Sequence, residues 1–362
     1  MKKNQSVYFF YLGHPAHYHN VSNLIRLLSE HGHTIKLIAR GKDVLFELLD
    51  GLPYNITYLK ARSGNGKLSL LASVLFREWR MFTLAVKYRP KMMIGTDIVI
   101  THIGRLLNIP SVILNEDDTE AVPLLANLGF KYASHVMAPE CCDLGKFEHK
   151  KIAYASYHEL AYLHRNYFKP DKQKVQALFG SRERYFILRF SSLNAHHDDG
   201  VEGIDDSRAL QLIDLLEPHG QVWITSERPL NKDLEPYRIQ IPAKEMHHAL
   251  AFAHLYAGDS QTMTAEAAVL GTPALRFNDF VGKLGYLEEL EHMYELTYGF
   301  KTHQFEQLVN KLQNLMKEPE LKKKWKERQT KMLKERIDLT DFWLNFFEQY
   351  PKSFQKHIDT SK

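Results

Sequence analysis

The 362-residue chain has little cysteine, no long apolar run and no strong excess of one charge. Its two cysteines, Cys141 and Cys142, are adjacent, which argues against a disulfide framework and gives no zinc spacing. The run VYFFYL follows Met1-Lys2-Lys3-Asn4-Gln5-Ser6 directly and is too short for a signal core or a bilayer span. A net charge of +4 does not mark a nucleic-acid binder. The reading is a reducing, cytoplasmic location. Much of the basic excess lies in LKKKWKERQTKMLKER (321–336), which reads as the solvated face of a helix.

An apolar fraction of 44% and a charged fraction of 25% are those of a soluble globular protein, and the length accommodates two α/β domains. Short β-branched or aromatic runs alternate with helical patterns, which argues for βαβ units and parallel sheets. The expected strands are 7–12, 34–39, 54–59, 92–96, 111–115 and 135–139, then 185–190, 221–225, 237–241, 254–258 and 273–277. Helical spacing of Val21, Leu24, Ile25, Leu27 and Leu28 ends at Gly32, a C′ glycine. Three segments result: 1–168 and 169–320, each Rossmann-like and facing a cleft, and a helical segment 321–362 packing back on the first. KLSLLASVLFREWRMFTLAVKYRP (67–90) reads as a long amphipathic helix. It either packs on the core or offers an apolar face to a lipid-linked acceptor or membrane surface.

In open parallel sheets ligands sit beyond the carboxyl ends of the strands, so the loops there carry the chemistry. In YAGDSQTMTAEAAVLGTPALRF (256–277), Ser260, Gln261 and Thr262 follow a strand and open a helix, whose N–H groups and dipole suit a diphosphate. The same pattern describes an ordinary capped helix, with Asp259 as cap or loop organiser. Glu266, a polar residue in an otherwise Ala/Val-rich helix, suits a ribose diol. GHPAHYHN (13–20) places Gly13 at a tight turn and His14, His17 and His19 at the cleft edge, where an imidazole can remove a hydroxyl proton. No carboxylate has a partner spacing for a metal there. NEDDTEA carries Glu116, Asp117, Asp118 and Glu120, as base or sugar-hydroxyl ligands, or with Asp118 or Thr119 capping the next helix. Arg189 is a counter-charge for the diphosphate, and Ser191, Ser192 and His196 follow it. Ser226 and Glu227 contact the nucleotide or cap their loop. His158 and Glu159 reach the cleft or form a hinge.

GDSQTMTAEAAVLGTPALRF resembles the donor-site segment of GT-B glycosyltransferases and UDP-N-acetylglucosamine 2-epimerases. The resemblance implies diphosphate contacts at Ser260, Gln261 and Thr262 and a ribose contact at Glu266. Gln261-Thr262 stands where those families carry two glycines. LGHPAHYHN, NEDDTEA, SYHELAYLH, ITSERPL and GDSQTMTAEAAVLGTPALR together resemble domain-of-unknown-function family 354 (DUF354), over about 300 residues. That family implies the GT-B fold, with an acceptor side in the first domain and a nucleotide-sugar side in the second.

The expectation is therefore an α/β, GT-B-like protein with C-terminal helices: a metal-independent glycosyltransferase without cofactor, acting in cell-surface polysaccharide or glycoconjugate synthesis. It takes a UDP-sugar donor and a glycan or lipid-linked acceptor, with peripheral contact at the inner face of a membrane. His17, Asp118, His14 and Glu120 are the expected catalytic groups. Gly13, His19, Asp117, His158 and His196 are the expected substrate contacts, beside nucleotide contacts at Ser260, Gln261, Thr262, Glu266, Arg189, Ser226 and Glu227. The alternatives are a 2-epimerase-like enzyme and a non-catalytic GT-B-like binding protein.

Overall fold

A computed structural model describes residues 5–41, 43–59, 67–180, 184–191 and 203–355. The chain divides into two compact units: Met1–His164 together with Ile337–Lys362, and Arg165–Arg336.

The first unit is built on seven parallel strands: β1 (Val7–Leu12), β2 (Thr34–Arg40), β3 (Asn55–Leu59), β4 (Met92–Gly95), β5 (Ser111–Leu114), β6 (His135–Pro139) and β7 (Lys151–Tyr154). Their order is β3-β2-β1-β4-β5-β6-β7. Central strands such as MMIG and SVIL are buried along their whole length, as a sheet covered on both faces requires. The helix Pro15–Glu30 follows β1; it buries Val21, Leu24, Ile25 and Leu28 and ends before Gly32, whose φ of 87° favours glycine. The helix Leu339–Gln349 returns to this unit, with Trp343 buried and Tyr8 Oη donating to Phe347 O at 3.1 Å.

The second unit has five parallel strands: β8 (Tyr185–Phe190), β9 (Gln221–Ser226), β10 (Leu255–Gly258), β11 (Ala274–Phe277) and β12 (Thr297–Phe300), in the order β12-β11-β10-β8-β9. The helices Phe305–Met316 and Leu321–Glu335 complete it. Trp325 Nε1 donates to Leu296 O at 2.8 Å and Gln329 Nε2 to Val269 O at 2.7 Å. Burying an indole of this size while meeting its one donor anchors the otherwise lysine-rich helix.

One expected strand is absent and two observed strands were not expected. Residues 237–241 form no strand: Glu235–Tyr237 is a 3₁₀ turn, and only Arg238 bridges to Ile224. Pro236 and Pro242 bracket that segment and remove ladder donors. Conversely β7 and β12, KIAY and TYGF, had no expectation; both are four-residue edge strands of mixed polarity, with no apolar run to mark them.

Candidate functional site

Each sheet reverses its order at one point. In the second unit β8 connects outward to β9, and the chain then returns to lay β10 on the other side of β8. In the first unit the reversal falls between β1 and β4. Such switch points open a crevice beyond the strand ends, where ligands of open α/β sheets bind.

At the second unit's switch point, Ser260 is the N-cap of the helix Gln261–Val269, its Oγ accepting from Met263 N at 3.4 Å. Gln261 and Thr262 occupy the first turn and are half-buried. Asp259, directly before the cap, is buried and turned toward β8, where its Oδ1 accepts from Ser191 N at 2.6 Å. Burial pushes its carboxyl up to about 6, against the opposing effects of the Ser191 N–H and the Arg189 guanidinium. Asn278, at the end of β11, donates to Asp259 O at 2.8 Å. Beyond the Met263 N–H taken by the cap, these bonds leave the N–H groups of Gln261 and Thr262 pointing along the positive end of the helix dipole. Gly258 is required: a Cβ there would lie 2.7 Å from both Arg189 O and Tyr256 Oη.

Arg189, on β8, pairs with Glu227 just beyond β9, and its Nε is buried without a hydrogen-bond partner among the described residues. Ser226 is occupied locally, its Oγ donating to Arg228 O at 2.7 Å. Glu266 is buried, its Oε1 lying 2.9 Å from Nε2 of His247 on the helix Met246–Phe252. At Gly271 the helix exit has φ 78°. His196 and Ser192 lie outside the described residues.

At the first unit's switch point the GHPAH segment is not a loop: His14 is the N-cap of the helix Pro15–Glu30, its ring accepting from Ala16 N at 3.3 Å. One turn on, His17 Nδ1 accepts from Gly13 N at 3.2 Å. Thr96 Oγ1, just past β4, lies 2.8 Å from Nδ1 and 3.0 Å from Nε2 of the same ring. This fixes a half-buried imidazole across the β1–β4 gap. His19 instead faces Tyr162, with ring centroids 5.4 Å apart.

Two residues at this point had no sequence signal. Asp97 caps the helix Ile98–Leu107 through Val99 N at 3.0 Å, and its other oxygen takes Arg77 Nη1 at 2.9 Å. Arg77 also donates to Tyr11 Oη at 3.3 Å. Arg77 lies 20 positions upstream on another helix, so no local motif announces the pair.

Beyond β5 a second polar cluster gathers. His158 Nδ1 lies 3.1 Å from Asn20 Nδ2 and 3.2 Å from Glu116 Oε2, with the ring stacked on Tyr154 and edge-on to Trp343. Burial pushes His158 down to about 3, so the ring is neutral, and its Nε2 is buried without a hydrogen-bond partner among the described residues. Asp118 and Thr119 do not cap a helix; the next helical turn starts at Pro123 with Val122 as its cap. Asp118 accepts from Asp143 N, Asp117 O accepts from Asn115 Nδ2 at 2.6 Å, and Glu120 is exposed. No group of three His, Cys, Asp or Glu among the described residues is arranged to hold a metal ion.

No protein-family model matches the chain. No curated protein matches it in sequence. Solved structures do match its fold. A Listeria monocytogenes protein described as a UDP-N-acetylglucosamine 2-epimerase aligns over 99% of this chain and 98% of its own, at 12% identity and TM-score 0.68. The UDP-GlcNAc 2-epimerase from Neisseria meningitidis, solved with UDP-GlcNAc bound, aligns over 91% and 100%, at 14% identity and TM-score 0.58. The calicheamicin glycosyltransferase CalG4 aligns over 96% and 100%, at 11% identity and TM-score 0.58. The chain is similar to both kinds of protein in fold: two Rossmann-like units of GT-B form.

Proposed function

We propose that this protein is a sugar-nucleotide-dependent glycosyltransferase of GT-B form. The observation that carries the reading is the Ser260-capped N-terminus of the helix Gln261–Val269, which opens at a sheet switch point beside Arg189. A diphosphate there meets first-turn N–H groups, a helix dipole and a guanidinium, which together stabilise the charge that departs with the nucleotide. Glu266, oriented by His247, takes the ribose hydroxyls, and Gln261 and Thr262 line the phosphate approach. UDP is the favoured nucleotide, supported by the UDP-GlcNAc held by the Neisseria meningitidis protein of the same fold.

The first unit supplies the acceptor side. His17 is the base: Thr96 and Gly13 orient its ring, whereas Asp97 is committed to Arg77 and Asp118 to the Asp143 N–H. His14, His19, Asp117 and Glu120 border the acceptor. The motif resemblance to family 354 supports the same reading, with a glycan or lipid-linked acceptor of cell-surface synthesis.

One observation favours an epimerase instead: Glu116 and His158, a carboxylate and an imidazole, meet at a second strand end, with Asn20 bonded to the ring. The two readings part in heavy water with UDP-N-acetylglucosamine and no acceptor. The transferase leaves C2 protonated and unepimerised and binds UDP ahead of GDP, CDP and TDP in a thermal-shift ranking. Deuterium at C2 would establish the epimerase, and a chain that none of the four nucleotides stabilises would end both readings.

A further inference from the structure

The helix Lys67–Tyr88 turns one stripe inward, where Arg77, Met81 and Ala85 are buried, and leaves another in solvent. The outer stripe is Leu75, Trp79, Phe82 and Val86, at steps of four, three and four, with Phe76 beside it. Trp79 is 57% exposed. Large apolar side chains facing water along three turns need an occupant.

The face continues onto the next elements. His102, on the helix Ile98–Leu107, bonds Glu78 at 2.6 Å through Nδ1 and Leu128 O at 2.8 Å through Nε2, tying the long helix to segment 123–130. Leu106 and Leu124, 68% and 71% exposed, and Leu128 extend the apolar surface there.

Charge identifies the occupant. Residues 72–110 and 121–139 contain only two carboxylates, Glu78 and Asp97, and these are taken by His102 and Arg77. Arg80, Lys87, Arg105 and Lys131 lie on the same elements, and no carboxylate among the described residues lies in ion-pair contact with them. Arg80 and Trp79 form a cation–π pair, 6.0 Å from guanidinium to ring centroid. An exposed Trp/Phe/Leu stripe rimmed by cations fits a negatively charged apolar–polar boundary. A second copy of the chain fits poorly, because a two-fold interface on this face would set like charges against each other.

We propose that this face of the first unit docks on the surface of an anionic lipid bilayer, with Trp79, Phe76 and Phe82 entering the headgroup region. It neither spans nor requires a span; no described helix is long and apolar enough to cross a membrane. The proposal does not rest on the nucleotide reading, which concerns the second unit.

The test is co-sedimentation of the full chain with vesicles of phosphatidylcholine alone or with about a third phosphatidylglycerol. The wild type should partition onto the anionic vesicles, losing affinity as salt rises. A Trp79→Ser/Phe82→Ser variant, its fold checked by circular dichroism, should lose at least about tenfold. Lys87→Gln and Lys131→Gln should each lose about fivefold. Absence of binding to anionic vesicles, equal binding to neutral ones, or unchanged binding in the Trp79/Phe82 variant overturns the proposal. So does sedimentation equilibrium showing a wild-type dimer that the same variant splits, which would make the face an interface between copies.

Discussion

The two switch points differ in what they hold out. In the second unit Asp259 is folded back onto Ser191 and Glu227 pairs with Arg189, while the Ser260 cap and the helix N-terminus remain at the strand ends. In the first unit the carboxylate Asp97 is likewise committed, to Arg77, but an imidazole held by Thr96 stands beside it. In the proposed reading the second unit's point takes an anion and the first unit's a proton. The same parallel-sheet geometry thus takes different chemistry from the two or three residues that follow its innermost strands.

The largest effect should separate the two points by function. His17→Asn should reduce kcat on the order of 1000-fold while leaving UDP affinity within about twofold, as read from initial rates and calorimetry. Parallel losses of affinity and rate would show that the imidazole does not belong to a separate acceptor side.

A second contrast is in pH dependence. Asp259, pushed up from about 3.9 to about 6, adds stability below pH 4 that is lost as pH rises through 6. That span corresponds to about 3 kcal/mol. His158, pushed down from about 6.5 to about 3, adds stability above pH 6.5 that is lost as pH falls. Between pH 4 and 6 the two slopes oppose. In urea titrations Asp259→Asn should make stability rise more steeply with pH over that window, and His158→Gln should flatten the rise. Unchanged slopes would mean that neither group is held as described.

The smallest effect tests the ribose contact. Glu266→Gln should weaken UDP binding about tenfold and 2′,3′-dideoxy-UDP by less than about twofold. Equal losses would assign Glu266 to packing with His247 alone.

Much of this architecture can be read from residues in a row. Alternating strand and helix patterns, the Ser260 cap and the Gly271 exit depend on neighbours within a few positions, so the sequence carries them directly. The GHPAH segment shows the limit: its turn residues mark a strand end, yet His14 caps and His17 already lies on the helix. Arg77–Asp97, His17–Thr96 and Glu266–His247 join residues 20, 79 and 19 positions apart, across elements that only the folded sheet brings together. β7 and β12 escaped because edge strands four residues long need no apolar run.

The central claim is that the helix beginning after Ser260 holds a nucleotide diphosphate. Ser260→Asp tests it most directly, because aspartate keeps the cap and favours the helix dipole while placing a negative charge where the claim puts the phosphates. Calorimetry with UDP should show an affinity loss of about 100-fold or more, with the melting temperature unchanged or raised. UDP binding as tight as in the wild type would contradict the account.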